Sequence, residues 1–311
     1  MRMRILIVAS QNKGKMSLLV VEQYEALKRA GCIVDTYGVV GHGIMGYIKN
    51  IAELRSKIKQ FEPDIVHAHY GLSGLLATMQ TKVPVVTTYH GSDIHTLGPN
   101  LRLSKIAMRR SAFNVFVSDK LRQIANYTRK DKYGIVPCGI NENDFVSIER
   151  EIACSQLNWK SDKKRVLFSG PFDREVKNAV LAKSAMKLVP DAELIELKGF
   201  SRKEVQLAMN ACNCLLMTSF REGSPTVIKE AMACGTPIVS VDVGDVKAVT
   251  NGTTGCYISE SYDADELALL IRKAISFAGK TNGRQRIIEL ELSNELIARR
   301  LINIYNKILN K

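Results

Sequence analysis

The chain has 311 residues, 46% hydrophobic and 24% charged, with a single Trp and a formal net charge of +13. That length suits two domains of about 150 residues, each with its own core, and no run of about 18 uncharged apolar residues exists to span a membrane. Residues 1–150 carry 21 Lys and Arg against 12 Asp and Glu, and the remainder 23 against 19, an excess that suits an anionic membrane surface, an anionic acceptor, nucleic acid, or simply a solvated face.

The opening MRMRILIVAS has too short an apolar run for a signal peptide, and residues 4–9 read as a buried strand. The loop 10–16 follows, then an amphipathic helix from about 17 to 30, closed by Gly31 before a second strand at 32–39. Strand, loop, helix, strand is the opening of a doubly wound sheet. The loop holds Gly14 and Lys15 but lacks the earlier glycine of a P-loop, and Met16 stands where Ser or Thr is needed, so a P-loop is rejected. Gly41–Gly46 spells G-x-G-x-x-G, but after the second strand rather than the first and without the matching acidic residue. A mobile loop before a helix at about 47–60 is expected there, and no nicotinamide cofactor. Residues 64–69 (DIVHAH) form the next strand, with His67 and His69 on one face; no further ligands have metal-site spacing. His90 ends another strand and enters a Gly-Ser loop, a position from which it could reach into a cleft or serve the core. A helix at 101–112 carries Arg102, Lys105, Arg109 and Arg110, either a membrane-facing surface or a solvated basic face. The polar stretch 147–162 shows little periodicity and is taken as the boundary between domains.

In the second half, strands are expected at 165–169 and 192–197, with a helix at 201–210. The apolar runs 214–218 and 237–243 read as buried parallel strands. Between them Ser224 suits an N-cap, Pro225 the first helical position and Gly235 a left-handed C-cap. This βαβ unit puts a helix N-terminus at the carboxyl edge of the sheet, where free N–H groups favour phosphate. Glu222 precedes the helix and Glu230 lies within it. Positions 223, 226, 227 and 230 share one face, and the two glutamates are at most roughly 12 Å apart. Such a pair could bracket a diphosphate between sugar and ribose hydroxyls; alone, it could equally be a loop charge and an exposed helix residue. Helices at about 263–278, 284–291 and 293–309 end the chain. Seven cysteines without a C-x-x-C pair suggest reduced thiols in a cytoplasmic protein, none catalytic.

Residues 219–240, SFREGSPTVIKEAMACGTPIVS, resemble the E-x7-E signature of the retaining family-4 glycosyltransferases of the GT-B fold. Similar stretches are PDIVHAHYGLSG (63–74), VVTTYHGSD (85–93), FNVFVSDKL (113–121), YGIVPCGINENDF (133–145) and VGDVKAVTNGTTGCYI (243–258). The resemblance implies two Rossmann-like, doubly wound parallel-sheet α/β domains with an interdomain cleft. An acceptor-side domain would occupy 1–150 and a nucleotide-sugar domain 151–290, with a terminal helix at 291–311 packing back on the first. It implies that Glu222 contacts the donor sugar, Glu230 the ribose and His90 the sugar near the reacting centre. Gly223, Ser224, Thr226 and Val227 would lie along the diphosphate, and Gly14 would match the phosphate-facing loop, which in the family commonly has two glycines. The family places an Arg directly after Gly and a Lys several residues later on the diphosphate. Here Lys177 takes the Lys position, Pro171 stands at the Arg position, and Arg174 is the candidate substitute.

The expectation is therefore a retaining transferase moving a sugar from a nucleoside-diphosphate sugar to a glycan or lipid-linked hydroxyl acceptor. The family's favoured front-face mechanism needs no general base and no covalent nucleophile. No metal and no cofactor are expected, and phosphate charge falls to Lys177, Arg174 and the helix N-terminus. Peripheral association with anionic membrane fits the basic first half, and nucleic acid is not an expected partner. A GT-B sugar-nucleotide 2-epimerase would share the fold and ligand class; a nucleic-acid module rests on charge alone.

Overall fold

A computed structural model describes residues 2–95 and 99–310. They form two compact units, Met1–Gly139 with Asn294–Lys311, and Ile140–Ser293.

The first unit is built on six parallel strands: β1 (Arg4–Ser10), β2 (Ile33–Val39), β3 (Ile65–His69), β4 (Val85–Tyr89), β5 (Phe113–Phe116) and β6 (Tyr133–Ile135), in the order β2-β1-β3-β4-β5-β6. Every residue of β3, β4 and β5 is buried, as central strands of a parallel sheet covered on both faces should be, the polar His67, His69, Thr87, Thr88 and Asn114 included. The strand order reverses between β1 and β3, so the carboxyl ends of these two strands flank a switch point. The final helix, Asn294–Leu309, belongs to this unit: Glu295 pairs with Arg29 at 3.0 Å, and the Tyr305 hydroxyl lies 2.5 Å from His67 Nδ1.

The second unit has five parallel strands: β7 (Lys164–Phe168), β8 (Ala192–Glu196), β9 (Cys214–Met217), β10 (Ile238–Val241) and β11 (Cys256–Ser259), in the order β11-β10-β9-β7-β8. Here the order reverses between β7 and β9, which brings the loops after these two strands together. The seven cysteines are unpaired.

Three expectations change. The boundaries fall at 139/140 and 293/294 rather than at 150/151 and 290/291. The reason is hydrogen bonding: Ile140 N–H donates to Leu292 O, Ile148 N–H to Asn210 Oδ1, and Arg284 to the carbonyls of Glu142 and Phe145. All of these tie 140–149 to the second unit. The stretch 147–162 is not structureless, since Arg150–Gln156 is helical and buries Ala153 and Cys154. Residues 41–46 are not a loop ahead of one long helix either. A short helix spans Gly43–Ile48 and a second Ile51–Phe61. A Cβ on Gly41 would stand 2.7 Å from the Gly46 backbone, so these glycines serve a close backbone approach. The Asn12 side chain accepts from Gly41 N–H at 2.7 Å and donates to Gly41 O at 2.8 Å, holding that approach in place.

Candidate functional site

The second unit assembles most of the expected residues at its switch point. From β9 the chain runs through Thr218–Pro225 into the helix Thr226–Cys234, which ends at left-handed Gly235 (φ 70°). The N-cap is Pro225, not Ser224. Ser224 is drawn away because its Oγ donates to Asp245 Oδ2 at 2.5 Å and accepts from the ammonium of Lys229. Pro225 has no side-chain group that could cap the helix, whose N-terminal end carries the positive pole of its dipole. Thr226 and Val227 supply two of the N–H groups at that end.

The loop after β7 is fastened beside it. Thr218 Oγ1 donates to the carbonyls of Lys177 (3.0 Å) and Asn178 (2.9 Å), and Phe220 N–H donates to Val176 O at 2.9 Å. The Lys177 stem crosses Gly170, where an added Cβ would come within 3.1 Å of Lys177 Cε. Its ammonium reaches Glu222 Oε1 at 2.7 Å, with the two side chains 12% and 18% exposed. Lys177 and Glu222, 45 positions apart in sequence, thus form one partly buried ion pair.

Glu230 is 6% exposed, so the alternative of an exposed helix carboxylate is wrong. Arg202 Nη1 pairs with Glu230 Oε1 at 2.9 Å, while its guanidinium lies over the Phe145 ring and 3.6 Å from Asp144. Arg202 opens the helix Arg202–Ala211, whose start is fixed by a Ser201–Glu204 capping box. Arg174 heads the single turn Glu175–Lys177 and is exposed. Pro171 lies on the same loop, its carbonyl accepting from Arg174 N–H at 3.3 Å.

Two important residues were missed in the sequence. Lys229 is wholly buried, and its ammonium bridges Ser224 and Asp245, the latter at 3.3 Å. Its neighbours carried the signal: Val227, Ile228 and 231–234 leave the helix no wet side for a lysine to occupy. Asp245 belongs to a loop that lies directly on the Glu222–Ser224 turn, for a Cβ on Gly244 would be 2.6 Å from Gly223 O. Only glycine fits there, and its φ of 57° agrees.

His90 and Gly14 lie in the first unit. His90 Nε2 is 2.9 Å from His69 Nδ1, and the rings stack at 5.2 Å. Burial pushes the His90 imidazole down to about 3, so it is neutral at pH 7. His69 Nε2 is buried with no partner, and a proton there would be an unsatisfied buried donor. His69 therefore carries its proton on Nδ1 and donates it to His90 Nε2. Asp93, another residue not singled out in the sequence, accepts from the N–H groups of His90, Gly91 and Gly71 at 3.2, 2.9 and 3.1 Å and fixes the turn after β4. Gly14 closes an exposed turn at φ 77°, its N–H donating to Gln11 O at 2.9 Å. Among the described residues, no group of three or more His, Cys, Asp and Glu could hold a metal ion. No helix of the described residues is long and apolar enough to cross a membrane.

Two family descriptions match the chain: Glycosyltransferase Family 4 over residues 20–144, and Glycosyl transferases group 1 over residues 153–276. Among curated proteins, it is 24% identical to the putative teichuronic acid biosynthesis glycosyltransferase TuaC of Bacillus subtilis, over 62% of this chain and 57% of that protein. It is also 24% identical to the D-inositol 3-phosphate glycosyltransferase of Pseudarthrobacter chlorophenolicus, over 82% of this chain and 81% of that protein. The chain thus spans little more than half the length of TuaC. Among solved structures, the sucrose-phosphate synthase of Thermosynechococcus elongatus superposes with a TM-score of 0.85 at 18% identity, covering 99% of this chain and 100% of that one. Anabaena HepE, solved in complex with UDP-glucose, gives 0.79 at 15% identity, covering 98% and 100%.

Proposed function

We propose, because the chain belongs to family 4 of the GT-B glycosyltransferases, that it transfers a sugar from a nucleoside-diphosphate sugar to a hydroxyl acceptor with retention. The observation that carries this is the constellation in the second unit. A lysine, a helix N-terminus, and glutamates on either side of that terminus meet at one switch point. The helix N–H groups and Lys177 suit a diphosphate, Glu222 suits sugar hydroxyls, and Glu230 suits the ribose diol. That HepE was solved with UDP-glucose supports a nucleotide-sugar donor here.

In the proposed step the acceptor oxygen attacks the anomeric carbon on the face from which the leaving group departs. The bond from that carbon to the phosphate oxygen breaks, and the same oxygen takes the acceptor's proton. Charge develops on the diphosphate, where Lys177, Arg174 and the helix N-terminus stabilise it without a metal. Catalysis then needs no base from the protein, and neutral His90 serves as a hydrogen-bonding group. The acceptor is a glycan or lipid-linked glycan in cell-surface polysaccharide or glycolipid assembly, a reading supported by the likeness to TuaC. Exposed Arg102, Lys105, Ile106 and Arg109 on the helix Pro99–Arg110 support peripheral docking on anionic membrane.

The test is a panel of nucleoside diphosphates by thermal shift, followed by the matching donor sugars with candidate acceptors in the presence of chelator. Transfer with retained anomeric configuration is expected. Inverted product, or sugar-nucleotide epimerisation without acceptor, would refute the reading.

A further inference from the structure

We infer that the Lys177–Glu222 ion pair lets the site discriminate between the intact donor and the bare nucleoside diphosphate left after transfer. This rests on the proposed function, since it takes Lys177 as the phosphate cation and Glu222 as the partner of sugar hydroxyls.

In the unliganded protein the ammonium is already matched by a carboxylate 2.7 Å away, with both side chains largely shielded from water. The lysine is fastened beside the loop that carries Glu222. Its stem lies over Gly170, and its backbone carbonyl is held by Thr218. A bare diphosphate must therefore either pull Lys177 off Glu222, breaking a partly buried ion pair, or sit beside that carboxylate. Both are unfavourable where solvent screens poorly. An intact donor avoids the penalty: as the phosphate takes the ammonium, sugar hydroxyls donate to Glu222, so each half of the pair gains a replacement partner. The same carboxylate that recognises the sugar thus weakens rebinding of the spent nucleotide, and the product leaves.

The experiment is calorimetry with whichever of ADP, GDP, UDP and TDP binds the wild-type chain most tightly. Glu222→Gln keeps the volume and an acceptor for Lys177 but removes the charge. It should bind that diphosphate about five- to tenfold more tightly, while the KM for the intact donor rises. Glu175→Gln removes an exposed carboxylate two positions from Lys177 and should leave the affinity unchanged. Unchanged or weaker binding by Glu222→Gln would overturn the inference, as would equal tightening by Glu175→Gln. If neither a bare diphosphate nor any intact sugar nucleotide binds the wild type, the proposed function beneath it fails instead. Product inhibition of the wild type gives a second readout that needs no folded variant: a spent diphosphate that binds more tightly than the intact donor would also overturn the inference.

Discussion

Lys229 offers a sharp test of how the helix start is held. Its ammonium is fully buried and touches Ser224 Oγ and Asp245 Oδ2, and the Asp245 side chain is only 9% exposed. Lys229→Met keeps much of the stem's volume but leaves the Asp245 charge buried without its cation. Breaking one partner of a buried pair costs about 3–5 kcal/mol. Lys229→Met/Asp245→Asn removes both charges and leaves an amide that still accepts from Ser224 Oγ, so the loss should fall to about 1–2 kcal/mol. Urea unfolding of the wild type, the single variant and the double variant measures both. A single-variant loss under about 1 kcal/mol, or a double variant no more stable than the single, would refute the reasoning.

Two further predictions concern the phosphate loop and the buried histidines. Arg174→Ala should lower kcat/KM by about 2–3 kcal/mol of transition-state stabilisation and Arg174→Lys should already slow transfer, because a guanidinium fork is not reproduced by an ammonium; normal turnover by Arg174→Ala would leave Lys177 and the helix N-terminus as the phosphate site. His67 and His90 are both pushed down to about 3 by burial, so below the ordinary histidine value of 6.5 the unfolded chain binds protons that the folded chain refuses. Stability should fall as pH drops from 7 to 5, each histidine approaching a slope of about 1.4 kcal/mol per pH unit. Asp93, raised to about 6 by burial, works in the opposite direction between 6 and its ordinary 3.8, but it is one group against two. Urea midpoints at pH 7 and 5 measure the net effect; a flat profile, or no reduction of the slope in His67→Gln, would count against it.

Strands such as β1 and β9 were legible because parallel sheets covered on both faces leave apolar runs. The βαβ unit from β9 to β10 was legible for a further reason: Pro225 and Gly235 mark the two ends of its helix. What sequence could not give was choice among partners. Ser224 suited an N-cap by type, yet a lysine five positions on and an aspartate from another loop compete for its hydroxyl. The boundary was placed too late because polarity at 147–162 hid a helix whose partners lie far along the chain. The G-x-G-x-x-G at 41–46 has the spacing of a dinucleotide loop but serves backbone packing. The proximity of Lys177 to Glu222, and of Arg202 to Glu230, is a property of strand order, which no local pattern encodes.

Nucleotide binding by Glu230→Ala tests the donor site most directly. Calorimetry with a bare nucleoside diphosphate isolates the ribose contact from sugar and acceptor. The folded variant should lose about 1.5–3 kcal/mol of binding, as expected for hydrogen bonds to a charged group. Wild-type affinity in a folded Glu230→Ala protein would contradict the ribose contact and place the nucleotide elsewhere.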